Sequence, residues 1–268
     1  MTTLTARPAA PSPLRRVRAV AAAETRLLVR NRTAVVNSVV APLLLVAVAA
    51  VLGIGGGAVG GMDLLVTAAV VTLVFLTYYN LVTTYVARRE DLVLQRMRTG
   101  ELTDAQVLTA TAVPTLLVTV GQLALVTAGI VALGGWRAPA DVVLPLLAVL
   151  LGTVLMVTLA TASTLFTRTP ESAQITTLPV VLVATVSSGL FFPLAVLPDA
   201  LAAAARLLPV TPVVELLQLG LAGRTWDGEA VAGADLWAAA LGPVVTLVAW
   251  TAVAGVLTLR WFRWAPRR

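Results

Sequence analysis

The sequence predicts an all-α integral membrane protein with six transmembrane helices. Of its 268 residues, 59% are hydrophobic and only 12% are charged, and the mean hydropathy is +0.94. Soluble domains carry about 25% charged residues, so this chain cannot cover its apolar surface with polar side chains in water. Lipid must solvate most of it, and a helix satisfies its backbone hydrogen bonds internally while it crosses lipid.

Six apolar runs are long enough to cross the hydrocarbon core, which takes roughly 20 helical residues. The predicted spans, in chain order, are about Thr33–Gly53, Met62–Ala87, Thr103–Leu133, Val142–Thr167, Ala173–Leu197 and Leu236–Trp261. Thr103-Asp-Ala-Gln106 has the spacing of a capping box and marks the start of the third span. We expect one transmembrane domain over 13–261, after a disordered tail (1–12) and before a basic cytoplasmic tail (262–268).

The placement of basic residues predicts the orientation. All 19 are arginines, and with six spans only Arg137, Arg206 and Arg224 fall on one side of the membrane. The positive-inside rule therefore puts both termini in the cytoplasm. Because topology accounts for the basic character, we expect no nucleic-acid partner.

Three absent residue types exclude most catalytic chemistry. The chain has no Cys, no His and no Lys. Without His there is no Ser-His-Asp triad and no zinc site of the usual kind. Without Lys there is no nucleotide-binding loop of the G-x-x-x-x-G-K-[ST] type. We therefore expect no catalytic residues, no bound metal or cofactor and no enzymatic activity in this chain.

The segment before the first span predicts an amphipathic helix at the membrane interface. On a helical wheel, its apolar side holds Leu14, Val17, Val20, Ala21, Leu27 and Leu28, and its basic side holds Arg15, Arg16, Arg18, Arg26 and Arg30. Glu24 lies in the apolar arc and needs a partner from elsewhere in the fold or from another subunit. A basic stretch beside the membrane, without a defined helix, is the alternative.

The connection between spans two and three, Arg88–Glu101, is dense in charge. Its charged residues alternate with Leu92, Val93, Leu94 and Met97. This pattern predicts a short cytoplasmic helix with an exposed apolar ridge that suits a partner's groove. A solvated linker whose charges hold the topology is the alternative.

The stretch from Ser187 to Arg224 is too apolar for a free loop and too broken for a span. Pro193, Pro198, Pro209 and Pro212 cut it into helices of about 8–10 residues. Such helices are too short to cross lipid, so they predict a re-entrant or interfacial hairpin on the outer face, between spans five and six.

Polar and aromatic side chains at membrane depth are candidates for a transport path. They are Phe75, Tyr79, Asn80, Gln122, Gln174, Phe191, Phe192 and Glu215. Interhelical hydrogen bonding and an interfacial aromatic belt explain each of them singly just as well.

Together these segments resemble the membrane subunits of type-2 ABC transporters, the second permease class, which includes drug and polymer exporters. Ser188-Gly-Leu-Phe-Phe-Pro193, with Leu208-Pro209 further on, resembles the outer hairpin of that family. Arg88-Arg-Glu90 resembles the start of its coupling helix, and Glu24 with Arg30-Asn-Arg32 resembles its elbow helix. Asp91-Leu92 stands where Gly is common in the family. Among members, the chain looks most like bacterial permeases of the daunorubicin-resistance kind.

The resemblance implies partners and a mechanism. Two permease copies, here a homodimer in the bacterial cell membrane, would work with two cytoplasmic P-loop ATPases that bind ATP and Mg²⁺. Coupling to the ATPase would use Arg88, Arg89, Glu90, Asp91, Leu94, Met97 and Arg98, and the elbow would use Glu24, Arg26 and Arg30. The complex would export a small hydrophobic compound from the cytoplasm or the inner leaflet. A lipid-linked or polysaccharide cargo is the alternative, and an ion-coupled secondary transporter is a further one.

Overall fold

The computed structural model describes residues 13–30, 32–53, 58–98, 102–188 and 198–265. Within these ranges the regular elements are helices, and one isolated antiparallel bridge joins Arg224 to Ala230. The helices are α1 (Pro13–Arg30), α2 (Arg32–Val51), α3 (Ala58–Val71), a π-helical segment (Thr72–Tyr79), α4 (Asn80–Glu90), α5 (Val93–Arg98), α6 (Asp104–Ala132), α7 (Val143–Ser163), α8 (Ala173–Thr176), α9 (Leu178–Ser187), α10 (Asp199–Arg206), α11 (Thr211–Ala222) and α12 (Ala234–Trp261).

Four helical stretches are long and apolar enough to cross a membrane. They are Gly60–Glu90, Asp104–Ala132, Val143–Ser163 and Ala234–Trp261, at the places of predicted spans two, three, four and six. The described residues thus confirm a multi-pass helical membrane protein. They do not confirm six spans, because α2 is not among the four and the fifth predicted span is described only as a shorter apolar stretch, Ala173–Ser187.

The predicted outer hairpin is a pair of short helices at a sharp bend. Ala200–Arg206 and Thr211–Ala222 meet at 84° and would form a fifth candidate span if the pair crosses together. α11 is longer than predicted because Pro212 lies in its first turn, where its missing N–H breaks no helical hydrogen bond. The indole Nε1 of Trp250 in α12 donates to the carbonyl of Leu207 at 2.7 Å and so holds the bend against the bundle.

Helix ends follow the expected local chemistry. At the start of α6, the hydroxyl of Thr103 accepts from the amide of Gln106, and the side chain of Gln106 accepts from the amide of Thr103. This reciprocal pair is the predicted capping box. α7 begins where Asp141 Oδ1 accepts from the amides of Val143 and Leu144, at 2.7 and 2.9 Å.

The second span, Gly60–Glu90, is the centre of the bundle. In its most apolar stretch 61% of the residues are buried, against 22% to 33% in the other three candidate spans. α6 and α7 pack against it, and α11 lies between α3, α7 and α12. α1 and α2 pack on the side of α6. The second span therefore contacts α6, α7 and α11 along its length.

Candidate functional site

The second span ends in an abrupt turn at the residues predicted to form a short helix. Its last helix, α4, stops at Glu90, and the amide of Asp91 still bonds to the carbonyl of Ala87 at 2.9 Å. Leu92 then has a φ of 61°, and among the described residues no other non-glycine has a positive φ. A left-handed L-residue costs about 1–2 kcal/mol. α5 starts at the next residue in a new direction, as a helix of six residues.

The prediction of an exposed apolar ridge on α5 is wrong at Leu94. Leu94 is fully buried, because the turn at Leu92 directs it towards the neighbouring α4 and α6. Met97 is half-buried, and the exposed side of this segment carries Asp91, Gln95 and Arg96 together with Leu92. For Arg98 the structure describes the helical backbone only. The surface that remains for a partner is therefore mainly polar.

Glu24 finds its partner in Arg88. Glu24 is 9% exposed on the inward side of α1, and Arg88 Nη2 donates to its carboxylate Oε2. The sequence requires a partner for this acid, and the structure supplies it from the end of α4. Arg26 and Arg30 are exposed on the other side of α1. The N-terminal helix and the end of the second span are thus joined by one ion pair.

Arg89 faces the interior of the protein, although the sequence places it among contacts to a partner. Its side chain is 1% exposed, and Nη1 donates to the carbonyl of Thr164 at 3.1 Å. Nη2 donates to the carbonyls of Thr167 at 2.7 Å and Arg168 at 3.1 Å. Glu90 Oε1 lies 3.5 Å from Arg89 Nε. The coupling role predicted for Arg89 stays a prediction, and any such role would act through the carbonyls at and beyond the end of α7 that its guanidinium binds.

Two tyrosines on the same span make further polar links that sequence reasoning missed. The hydroxyl of Tyr78 and Ser163 Oγ lie 2.9 Å apart, and the hydroxyl of Tyr85 donates to the carbonyl of Leu108 at 2.9 Å. Tyr78, Tyr85 and Arg89 are seven and four residues apart in sequence, which are helical spacings. That spacing of long polar side chains is the signal that could have identified this face.

A cavity of about 500 Å³ lies beside the second span, and it brings two of the predicted path residues together. Phe75 and Gln122 both line it, with apolar side chains from α2, α3 and α6. Gln122 is 8% exposed, and Phe75 is 47% exposed. The rest of the lining includes Leu44, Val48, Ala68, Val71, Leu76 and Val126. The cavity is therefore apolar, with an amide and an aromatic ring in its wall.

The other predicted path residues are distributed differently. Asn80 is exposed on the surface of the second span, and Tyr79 is half-buried next to it. Gln174 is exposed on α8, and Glu215 is half-buried on α11. Phe191 and Phe192 lie outside the described residues. The four described residues of this group do not line the cavity beside Phe75.

The π-helical segment sets how Phe75 and Asn80 are oriented around the second span. In an α-helix, residues five apart differ by about 140° around the axis. Hydrogen bonds from i to i+5 widen the turn, so Asn80 stays near the side of Phe75. Both residues are exposed. The two exposed side chains therefore differ in direction by less than an α-helix would give, although of the two only Phe75 lines the cavity.

Comparison with known proteins gives one family match. A family model described as "ABC-2 family transporter protein" matches residues 56–260. The match includes the second span, the cavity-lining residues of α6, the segment with α5, the α7–α8 turn, and the bent pair α10 and α11. No curated protein matches the chain.

Proposed function

The chain belongs to the ABC-2 transporter family, and we propose that it exports a small hydrophobic compound from the cytoplasm or the inner leaflet. The family makes it a membrane-embedded permease component of an ABC transporter, which works with an ATPase subunit. In this proposal that separate subunit binds ATP and Mg²⁺ and hydrolyses ATP, and the permease changes between inward-open and outward-open states.

The cavity beside Phe75 is the observation that carries the proposed cargo class. Its volume of about 500 Å³ falls in the range of small-molecule sites, about 300–1,000 Å³. Its wall is mainly aliphatic, with Phe75 as an aromatic surface and Thr72 and Gln122 as polar groups. Such a wall favours a compact lipophilic molecule over a sugar polymer, which needs many hydrogen-bond partners.

The proposed contact to the ATPase is the exposed side of the turn and α5. Asp91, Gln95 and Arg96 are exposed there, and the side chain of Glu90 is 32% exposed. A polar, mixed-charge surface of this kind suits docking to a soluble partner. Arg88 lies behind it and carries a displacement to α1 through Glu24. Two ATPase copies on two permease copies complete the proposed exporter, in the cell membrane of a bacterium with both termini inside.

The test is transport by the reconstituted complex. Proteoliposomes that contain the chain and its ATPase receive Mg-ATP on the ATPase side, and a fluorescent anthracycline serves as the cargo probe. We expect the anthracycline to accumulate on the opposite side of the membrane only when ATP is present. Phe75→Ala removes the aromatic wall of the cavity and should lower accumulation roughly tenfold, since a buried aromatic contact is worth about 1.5 kcal/mol or more.

Phe166→Ala is the matched control. Phe166 is 75% exposed and does not line the cavity, so its loss should leave accumulation near the parent level. Equal effects of the two substitutions would contradict the assignment of the cavity. Accumulation driven by a proton gradient in the absence of ATP would contradict the proposed function itself.

A further inference from the structure

The connection between α7 and α8 is a compact turn that is held by hydrogen bonds to side-chain hydroxyl groups. The amides of Arg168 and Thr169 donate to Ser172 Oγ at 3.2 and 3.0 Å, and the amide of Ser172 donates to Thr169 Oγ1 at 3.3 Å. Thr167 Oγ1 and Thr176 Oγ1 lie 2.8 Å apart, which ties the turn to α8. The turn therefore has a defined shape of its own.

Arg89 reaches into this turn from a different part of the chain. The three carbonyls it binds belong to residues 164, 167 and 168, between 75 and 79 positions away in sequence. Carbonyls at a helix end have no partner in the helix and carry partial negative charge. A guanidinium is planar and presents several donors in a fixed geometry, so it can bind three carbonyls that a single ammonium cannot span equally well.

Arg89 is also only two residues from the turn that starts α5. The rigid end of α4 lies between the guanidinium and Asp91, whose amide bonds back to Ala87. A displacement of α5 therefore acts on the end of α4, and from there on the α7–α8 turn through hydrogen bonds. Arg89 thus adds a polar link from the end of α4 to the α7–α8 turn, beside the one between Tyr78 and Ser163.

We propose that Arg89 is a positioning residue that locks the α7–α8 turn to α5, so that both move as one unit when the ATPase acts on the permease. The role in transport rests on the function proposed above, whereas the lock itself is a property of the permease alone. Arg89 acts through the backbone of residues 164–168, because its side chain is buried within the permease against those carbonyls.

The lock is tested by a distance measurement on the permease in lipid nanodiscs. The chain has no cysteine, so Gln95→Cys on α5 and Glu171→Cys in the turn accept spin labels selectively, and both positions are exposed. We expect one narrow distance distribution in the parent. Arg89→Gln should broaden it, with a roughly tenfold larger detached population, because charge-assisted hydrogen bonds are lost.

Arg168→Gln is the matched control, because the lock uses the carbonyl of Arg168 and its side chain is exposed. This variant should keep the narrow distribution. Arg89→Lys keeps the charge and should give an intermediate width, and it decides the question if Arg89→Gln does not insert. A parent-like distribution in Arg89→Lys and in any inserted Arg89→Gln would overturn the lock.

The second measurement is the number of cargo molecules moved per ATP in the complex. We expect Arg89→Gln, or Arg89→Lys in its place, to lower this ratio while the ATPase still binds and hydrolyses ATP. An unchanged ratio with a broadened distance would overturn the role in transmission. If the parent complex transports nothing while its distance stays narrow, the proposed function fails and the lock remains.

Discussion

Adjacent arginines at the end of the second span have different tasks. Arg88 pairs with Glu24 on α1, and Arg89 binds the carbonyls after α7. Successive residues on a helix point about 100° apart, so neighbours of the same type meet different elements. The sequence shows two equivalent charges, and only the packing of α1 and α7 around the span separates their roles.

The ion pair between Glu24 and Arg88 gives a prediction at the scale of single residues. Glu24→Leu leaves the half-buried Arg88 without its carboxylate and should lower stability by about 1–3 kcal/mol. The double variant Glu24→Leu/Arg88→Leu should recover part of that loss, because an apolar pair leaves no unpaired charge. Thermal unfolding in detergent, followed by size-exclusion chromatography, measures the change.

Arg26→Leu is the control on the same helix, because Arg26 is exposed. Its effect should be small. If Glu24→Leu is no more destabilising than Arg26→Leu, the pair contributes nothing to assembly, and its place in the proposed coupling route has to be abandoned.

Helices whose determinants are local were predictable from the sequence. α6 begins at Asp104 after the capping box at Thr103, as predicted, because both partners of that box lie within four residues. The four long apolar helices also coincide with predicted spans, since hydrophobic length is a local property.

Features that depend on packing were not predictable. The π-helical segment Thr72–Tyr79 carries an ordinary apolar sequence, and the buried side chains of Leu73, Val74 and Tyr78 fix it within the bundle. The left-handed Leu92 gives no local signal either, because leucine has no preference for that conformation. Leu94 was predicted on the exposed side for this reason, since a regular helix through Leu92 would orient it differently.

The contact between α11 and α7 gives the prediction at the scale of elements. A Cβ on Gly220 would lie 2.2 Å from Cδ of Pro145 and 2.9 Å from Cβ of Leu144. Neither atom can move without shifting the start of α7. Gly220→Ala should therefore destabilise the protein by about 1–3 kcal/mol through overpacking, as measured by the midpoint of thermal unfolding in detergent.

Gly242→Ala provides the comparison. Gly242 lies within α12, and nothing approaches within 4 Å of a Cβ built there. This substitution should be neutral or stabilising by about 0.5–1 kcal/mol, because alanine is the better helix former. A Gly220→Ala protein as stable as Gly242→Ala would mean that α11 and α7 do not pack as closely as described.

The sequence predicted which residues belong to the candidate site much better than it predicted how they are arranged in space. Polar residues in apolar spans stand out in the sequence, and Phe75 and Gln122 do share a cavity. The direction of Arg89 depends on a loop that is 75 to 79 residues away in sequence, and that of Leu94 depends on the left-handed turn at Leu92. Contacts of that kind arise only when the whole bundle is packed, so no local pattern records them.

Asn80 provides a test of the assembly at the scale of the whole molecule. An exposed amide on a membrane span is unfavourable in lipid, so a second copy of the chain should cover this surface in the proposed homodimer. Because the chain has no cysteine, the Asn80→Cys variant can be tested in native membranes with a short cross-linker that reacts with one thiol at each end. We expect it to join the two copies at this position. Leu241→Cys is the control, since Leu241 is 66% exposed on α12, which packs on α7 and α11 away from the second span. Equal cross-linking at both positions would indicate random collisions, and a monomeric mass without cross-linking would exclude the homodimer.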